Sequence, residues 1–176
     1  MIFCRLDLYF FPILDIYTPI DRTILGYKEL FSPIRRFSMK KAAVIHDLSG
    51  FGKCSLTAAI PVLSALGVQC CPVATAVLTG QTGYPCYHCT DLTAMLPDYI
   101  DAWGKNNAHF DAIYSGFLTG AKQISQVLDF IRYFREEHTL LLVDPVMGDD
   151  GNAYPFFTPG LLNGMKELTL EADVIT

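Results

Sequence analysis

The chain has 176 residues, a net charge of −5, and 51% hydrophobic against 18% charged residues. That length supports one domain with a real core and not two comfortable ones, and the balance is that of a globular rather than a disordered chain. The negative charge argues against a nucleic-acid or anionic-membrane surface, and no apolar run reaches the length of a membrane span. Six cysteines lack the density and spacing of a secreted disulfide scaffold, so reduced thiols and a cytoplasmic location are expected.

Residues 1–38 read differently from the rest. "MIFCRLDLYFFPILDIYTPI" is aromatic and branched, but Asp7, Pro12, Asp15 and Pro19 interrupt it. A signal peptide needs a basic start, an unbroken apolar middle and a small-residue cleavage site, and these are not met. Met39 looks like a natural beginning, so residues 1–38 are expected to be an N-terminal extension outside the fold, and 39–176 the folded domain.

From there strands and helices alternate. Ala42–His46 is a short apolar run suited to a buried strand. Lys53–Leu66 reads as a helix kinked at Pro61 and closed by Gly67. Val68–Thr79 is β-rich and divided in two by Pro72. Thr90–Trp103 reads as a helix with an internal proline, Pro97, and Asp111–Ser115 as a strand. Lys122–Phe134 is the clearest helix, with Ile124, Val127, Leu128, Ile131 and Phe134 on one face. "TLLLV" at Thr139–Val143 is a buried strand, Pro159–Leu170 a helix, and Asp173–Ile175 begins another strand. This alternation predicts an α/β fold, a mostly parallel sheet covered on both faces. Ligands of such sheets sit beyond the carboxyl ends of the strands. Asp47–Lys53, Ser115–Thr119, Asp144–Gly151 and Gly80–Tyr84 are placed there.

The loop "HDLSGFGKCS" at His46–Ser55 invites comparison with a phosphate cradle. A P-loop needs glycine, four residues, then Gly-Lys-Ser/Thr. Counting from Gly52-Lys53, the first glycine falls on Asp47 and the hydroxyl residue on Cys54, so two defining positions fail. The dinucleotide pattern fares little better, with Ser55 at its small-residue position. The loop is not a nucleotide cradle. "LLLVDPVMGDDGNAY" is sharper. Asp144 ends a buried strand, with Asp149 and Asp150 five and six residues on. Such carboxylates can hold Mg²⁺ against a triphosphate, although Asp-Pro and Asp-Asp-Gly are also ordinary turn chemistry. Cys86-Tyr-His-Cys89 has CxxC spacing, but the strand–helix context of a redox site is absent and only Cys70-Cys71 could complete a zinc set. His109 and His138 read as surface or helix-end residues, and Trp103 as packing.

"VIHDLSGFGKCSLTAAIPVLSALGVQCCPVATAVLTGQTGY", "YSGFL" and "LLVDPVMGDDGNAY…ADVIT" together resemble pyridoxal/pyridoxamine kinases of the ribokinase-like superfamily, with the hydroxymethylpyrimidine kinases as near neighbours. The resemblance runs from about Lys40 to Thr176, covers only the N-terminal portion of such enzymes, and implies a three-layer sandwich. It also implies transfer of the γ-phosphoryl group of ATP, with Mg²⁺, to the 5′-hydroxymethyl of a vitamin B6 vitamer, and a homodimer at full length. By position it places Asp47, Thr82 and Phe117 at the substrate, and Asp144, Asp149 and Tyr154 at ATP and Mg²⁺. Asp47 departs from a commoner serine; it would accept a hydrogen bond from the ring nitrogen or hydroxyl, unless it serves only as a helix cap or loop-stabilising residue. The glycines of "HDLSGFGKCS" would then allow close approach to a flat heterocycle. The family's general base stands in a Gly-Thr-Gly-Asp turn expected beyond Thr176, and no Gly-x-Gly-Asp occurs in these residues. No catalytic residue is therefore assigned, and two functions stay open: a kinase seen in part, or a non-catalytic pyridine-binding module.

Overall fold

The structure, a computed structural model, describes residues 39–149, 151–154 and 158–176. The expectation for 1–38 falls outside these residues, as does Asp150. Apolar runs at alternate phases build the sheet. β1 (Lys41–Ser49) is followed by α1 (Ser55–Ala65) and β2 (Gln69–Leu78). Next come β3 (Cys89–Asp91), a 3₁₀ turn at Thr93–Met95 and α2 (Leu96–Lys105). β4 (Ala112–Ser115), α3 (Ala121–Phe134) and β5 (Leu140–Val143) continue the alternation. A small hairpin of β6 (Gly148–Asp149) and β7 (Asn152–Ala153) precedes α4 (Pro159–Leu170) and β8 (Val174–Ile175).

The main sheet runs β3-β2-β1-β4-β5-β8, with every pair parallel except β2 with β3. Its two faces take opposite residues of each strand. Ala43, Ile45, Ile113, Leu141 and Val143 face α2, α3 and α4, which contribute Leu96, Ile124, Val127 and Leu168 to the larger core. Ala42 and Val44 face α1, where Leu56 is buried. The result is the expected α/β three-layer sandwich, helices on both sides of a mostly parallel sheet.

Several elements depart from the sequence reading. Pro72 does not divide β2, because β3 pairs only with Ala76–Leu78 and, among the described residues, the β2 edge has no partner strand at residue 72. The helix expected over Thr90–Trp103 begins only at Leu96. Asp91 Oδ1 accepts from Thr93 N at 2.8 Å and turns the chain, and Pro97 occupies the first turn of α2, where a missing N–H costs nothing. β1 runs three residues past His46, so Asp47 lies within a strand. At α1, Thr57 Oγ1 accepts from Cys54 N at 3.2 Å and donates to Cys54 O at 2.7 Å, so the helix caps itself and Asp47 is no cap. Gly67 follows with φ +74°, the left-handed closure expected of a glycine. Trp103 packs among Tyr99, Phe110, Phe130 and Phe134.

Candidate functional site

The carboxyl ends of β1, β4 and β5 open onto a cavity of about 470 Å³. Asp47, Thr82, Phe117, Asp144 and Tyr154, drawn from five separate stretches of sequence, all line it. Asp149 lies on β6, where its backbone pairs with Asn152.

Asp47 is 4% exposed and accepts a hydrogen bond from Ser49 Oγ at 2.8 Å. A β-bulge aims it. Between His46 and Leu48 the chain takes two steps while β2 takes three, from Ala74 to Val77, so Thr75 and Ala76 stand opposite Asp47. Phe117 closes another wall from the loop after β4. Asp144 ends β5, its N–H donating to Ser115 O at 2.9 Å. Half-buried, its carboxyl is pushed above the usual carboxylate range by lost hydration. That carboxylate and burial together hold the nearby Tyr114 hydroxyl above its ordinary value, burial contributing more.

The glycines of the first loop also let it lie close against the loop that follows β2. Gly50 N donates to Leu78 O at 2.9 Å, Phe51 N to Thr79 O at 3.1 Å, and Gln81 N to Phe51 O at 2.9 Å. Gly52 has φ +93°, and a Cβ there would stand 2.7 Å from Gln81 Cγ. The close approach is to the segment carrying Thr82, so these glycines lace two loops together and bring Thr82 to the cavity.

Among the lining residues not named as site residues from the sequence are His46, Ser49 and Tyr114. His46 packs edge-on to Tyr114 with ring centroids 4.3 Å apart, and its Nε2 has no hydrogen-bond partner among the described residues. Gly116 makes room for it, since a Cβ at that position would lie 2.3 Å from His46 Cε1. Burial lowers the imidazole pKa to about 4, with the Asp47 charge opposing. The ring is therefore neutral at pH 7. The available signal was position, because His46 and Tyr114 sit near the carboxyl ends of adjacent buried strands. Among the described residues no three His, Cys, Asp or Glu side chains gather as a metal site, and the Cys86–Cys89 stretch forms none.

The chain matches no known protein-family model and no curated protein sequence. Solved structures do match it. A Bacteroides thetaiotaomicron protein described as a phosphomethylpyrimidine kinase is 45% identical, with a TM-score of 0.76, over 81% of this chain and 49% of that one. A second crystal form of it, with pyridoxal, is 47% identical at a TM-score of 0.76, covering 78% and 48%. Pyridoxal kinase from Lactobacillus plantarum is 32% identical at a TM-score of 0.72, covering 78% and 49%. Pyridoxal kinase from Leishmania donovani, in complex with ADP and pyridoxamine, shares the fold at 21% identity and a TM-score of 0.72, covering 77% and 49%. In fold and sequence the chain thus resembles kinases of the ribokinase-like kind. Among them its neighbours are pyridoxal kinases and a phosphomethylpyrimidine kinase, and it spans about half the length of each.

Proposed function

We propose that the chain carries the substrate side of an ATP-dependent kinase acting on the 5′-hydroxymethyl group of pyridoxal, pyridoxamine or pyridoxine. The reading is supported above all by the 47% identity to a protein crystallised with pyridoxal. The convergence of Asp47, Thr82 and Phe117 on one cavity adds to it. Asp47, held by Ser49, accepts a hydrogen bond from a ring N–H or ring hydroxyl, and a buried carboxylate favours the protonated form of its partner. Phe117 flanks the flat ring, and Thr82 supplies a hydroxyl beside it. The neutral imidazole of His46 leaves Asp47 as the charge that reads the ring.

Asp144, Asp149 and Tyr154 make up the nucleotide side in this reading. A half-buried carboxylate disfavoured by burial gains from a cation beside it, so Asp144 fits Mg²⁺, with Asp149 as a second ligand. Mg²⁺ is commonly bound by one or two carboxylates with phosphate oxygens completing its shell, so no all-protein cluster is needed. Bound there, it would neutralise charge on the phosphates. A Leishmania donovani kinase of the same fold carries ADP.

Calorimetry of the chain with pyridoxal, pyridoxamine and hydroxymethylpyrimidine tests the substrate. Binding of a vitamer is expected. Binding of hydroxymethylpyrimidine with neither vitamer would favour the second reading, to which the description of the Bacteroides protein points. Vitamer binding in a longer polypeptide that carries this chain and shows no transfer from ATP would instead favour a non-catalytic binding module.

A further inference from the structure

Behind the cavity wall lies a polar cluster that reaches the assigned residues through the backbone of Phe117. Thr75 is fully buried on β2 at the bulge facing Asp47. Its Oγ1 donates to Phe117 O at 2.9 Å, across 42 residues of sequence. Its carbonyl, turned out of the ladder, accepts from Leu92 N at 3.0 Å and from Gln123 Nε2 at 2.9 Å. Gln123, 1% exposed in the first turn of α3, also donates to Thr93 Oγ1 at 3.1 Å and accepts from Thr119 N at 2.8 Å. Each donor and acceptor of that amide is used, which makes a buried polar group a rigid tie instead of a liability.

The chain invests two buried polar side chains where apolar ones would pack, and both act on the same two walls. One tie fixes the bulge opposite Asp47. The others hold the Phe117 carbonyl and the Thr119 N–H just after it. We propose that Thr75 and Gln123 are positioning residues, setting the gap between the Asp47 edge and the Phe117 wall into which a flat heteroaromatic ring inserts. The inference rests on the proposed ring-binding function and extends it to residues outside the cavity. Without the hydroxyl of Thr75, the Phe117 carbonyl loses that hydrogen bond and the loop is held less firmly, so a ring is gripped less well while the core stays intact.

The test compares Thr75→Val, which keeps shape and removes the hydroxyl, with Thr75→Ser, which restores it. Val127→Ala, a core truncation on α3 away from the cavity, is the control. Two quantities are read: pyridoxal affinity by calorimetry and amide hydrogen exchange over residues 116–120. Thr75→Val is expected to weaken binding about tenfold, the worth of one buried hydrogen bond, and to speed that exchange. Thr75→Ser recovers both, and Val127→Ala lowers the melting temperature with affinity unchanged. Unchanged affinity and exchange in Thr75→Val would overturn the proposal, as would an equal loss of affinity in Val127→Ala. If Thr75→Val does not fold, Gln123→Met carries the same two readouts. If the unaltered chain fails to bind pyridoxal, the functional reading falls, and exchange over 116–120 alone decides the positioning role.

Discussion

His46 and Asp144 face one cavity with opposite electrostatic consequences. The imidazole has a folded pKa near 4 against 6.5 in an unfolded chain, because burial penalises the cation more than Asp47 rewards it. In that window the unfolded chain binds more protons, so stability rises with pH. The neutral ring contributes about 3 kcal/mol at pH 7, lost as the pH falls from about 6.5 toward 4. Urea unfolding between pH 4 and 8 should therefore show a steeper acid loss in the unaltered chain than in His46→Gln; matching slopes would contradict a buried neutral ring. Asp144 runs the other way. Its raised pKa means that burial penalises the folded chain once the carboxyl ionises, above the ordinary carboxylate range. Asp144→Asn is expected to raise the melting temperature at pH 7, with the gain fading toward pH 4. The same variant should weaken Mg-ATP binding and leave pyridoxal affinity intact. A lower melting temperature, or equal loss of both ligands, would point back to turn chemistry.

At the scale of elements, periodicity was readable wherever packing alone decides the outcome. The stripe of α3 and the run of β5 emerge within a residue of expectation because their faces meet a continuous core. α4 matches at both ends, for Thr158 Oγ1 accepts from Leu161 N at 3.2 Å and Pro159 opens the helix. Prolines were misread where their cost depends on neighbours invisible in sequence: the unpaired edge at Pro72 and the first turn at Pro97. The candidate site was legible as far as its motif residues go, because short polar residues after apolar runs mark strand ends. His46 and Tyr114 stayed hidden because they belong to the apolar strands, and only the fold tells which strand residues lie at the mouth. Pro61 remains a local conflict, since it stands inside α1 with no N–H to donate, and a proline ring inside a helix crowds the carbonyl four residues before it. It is exposed, so little packing depends on it. Pro61→Ala should stabilise the chain by about 1–3 kcal/mol in urea unfolding. A destabilised variant would mean that the kink itself positions Ser55 and Ala58 at the cavity.

Across the whole molecule the two sheet faces are unequally covered. Among the described residues three helices pack on one, while α1 alone serves the other, and there Leu140 is 45% and Val174 41% exposed. β8 pairs with β5 through Val174 and Ile175 at the end of the sheet order, and an edge without a further partner among the described residues, beside exposed apolar residues, favours association. Sedimentation velocity on the 176-residue chain is expected to show self-association at micromolar concentration. The same chain is expected to bind a vitamer without phosphorylating it. Deprotonating a hydroxymethyl group takes a positioned base, worth about 10²–10⁴-fold. Of the two carboxylates among the described residues that line the cavity, Asp47 is engaged by Ser49 at the ring side and Asp144 is assigned to Mg²⁺. No Gly-x-Gly-Asp turn occurs among the 176 residues to supply either a further carboxylate or backbone donors for the charge developing on the γ-phosphoryl group. An assay of pyridoxal phosphate formation with Mg-ATP should stay at background. Turnover by a purified, monomeric chain would overturn this, and would make Asp149 or Asp150 the first candidates for the base.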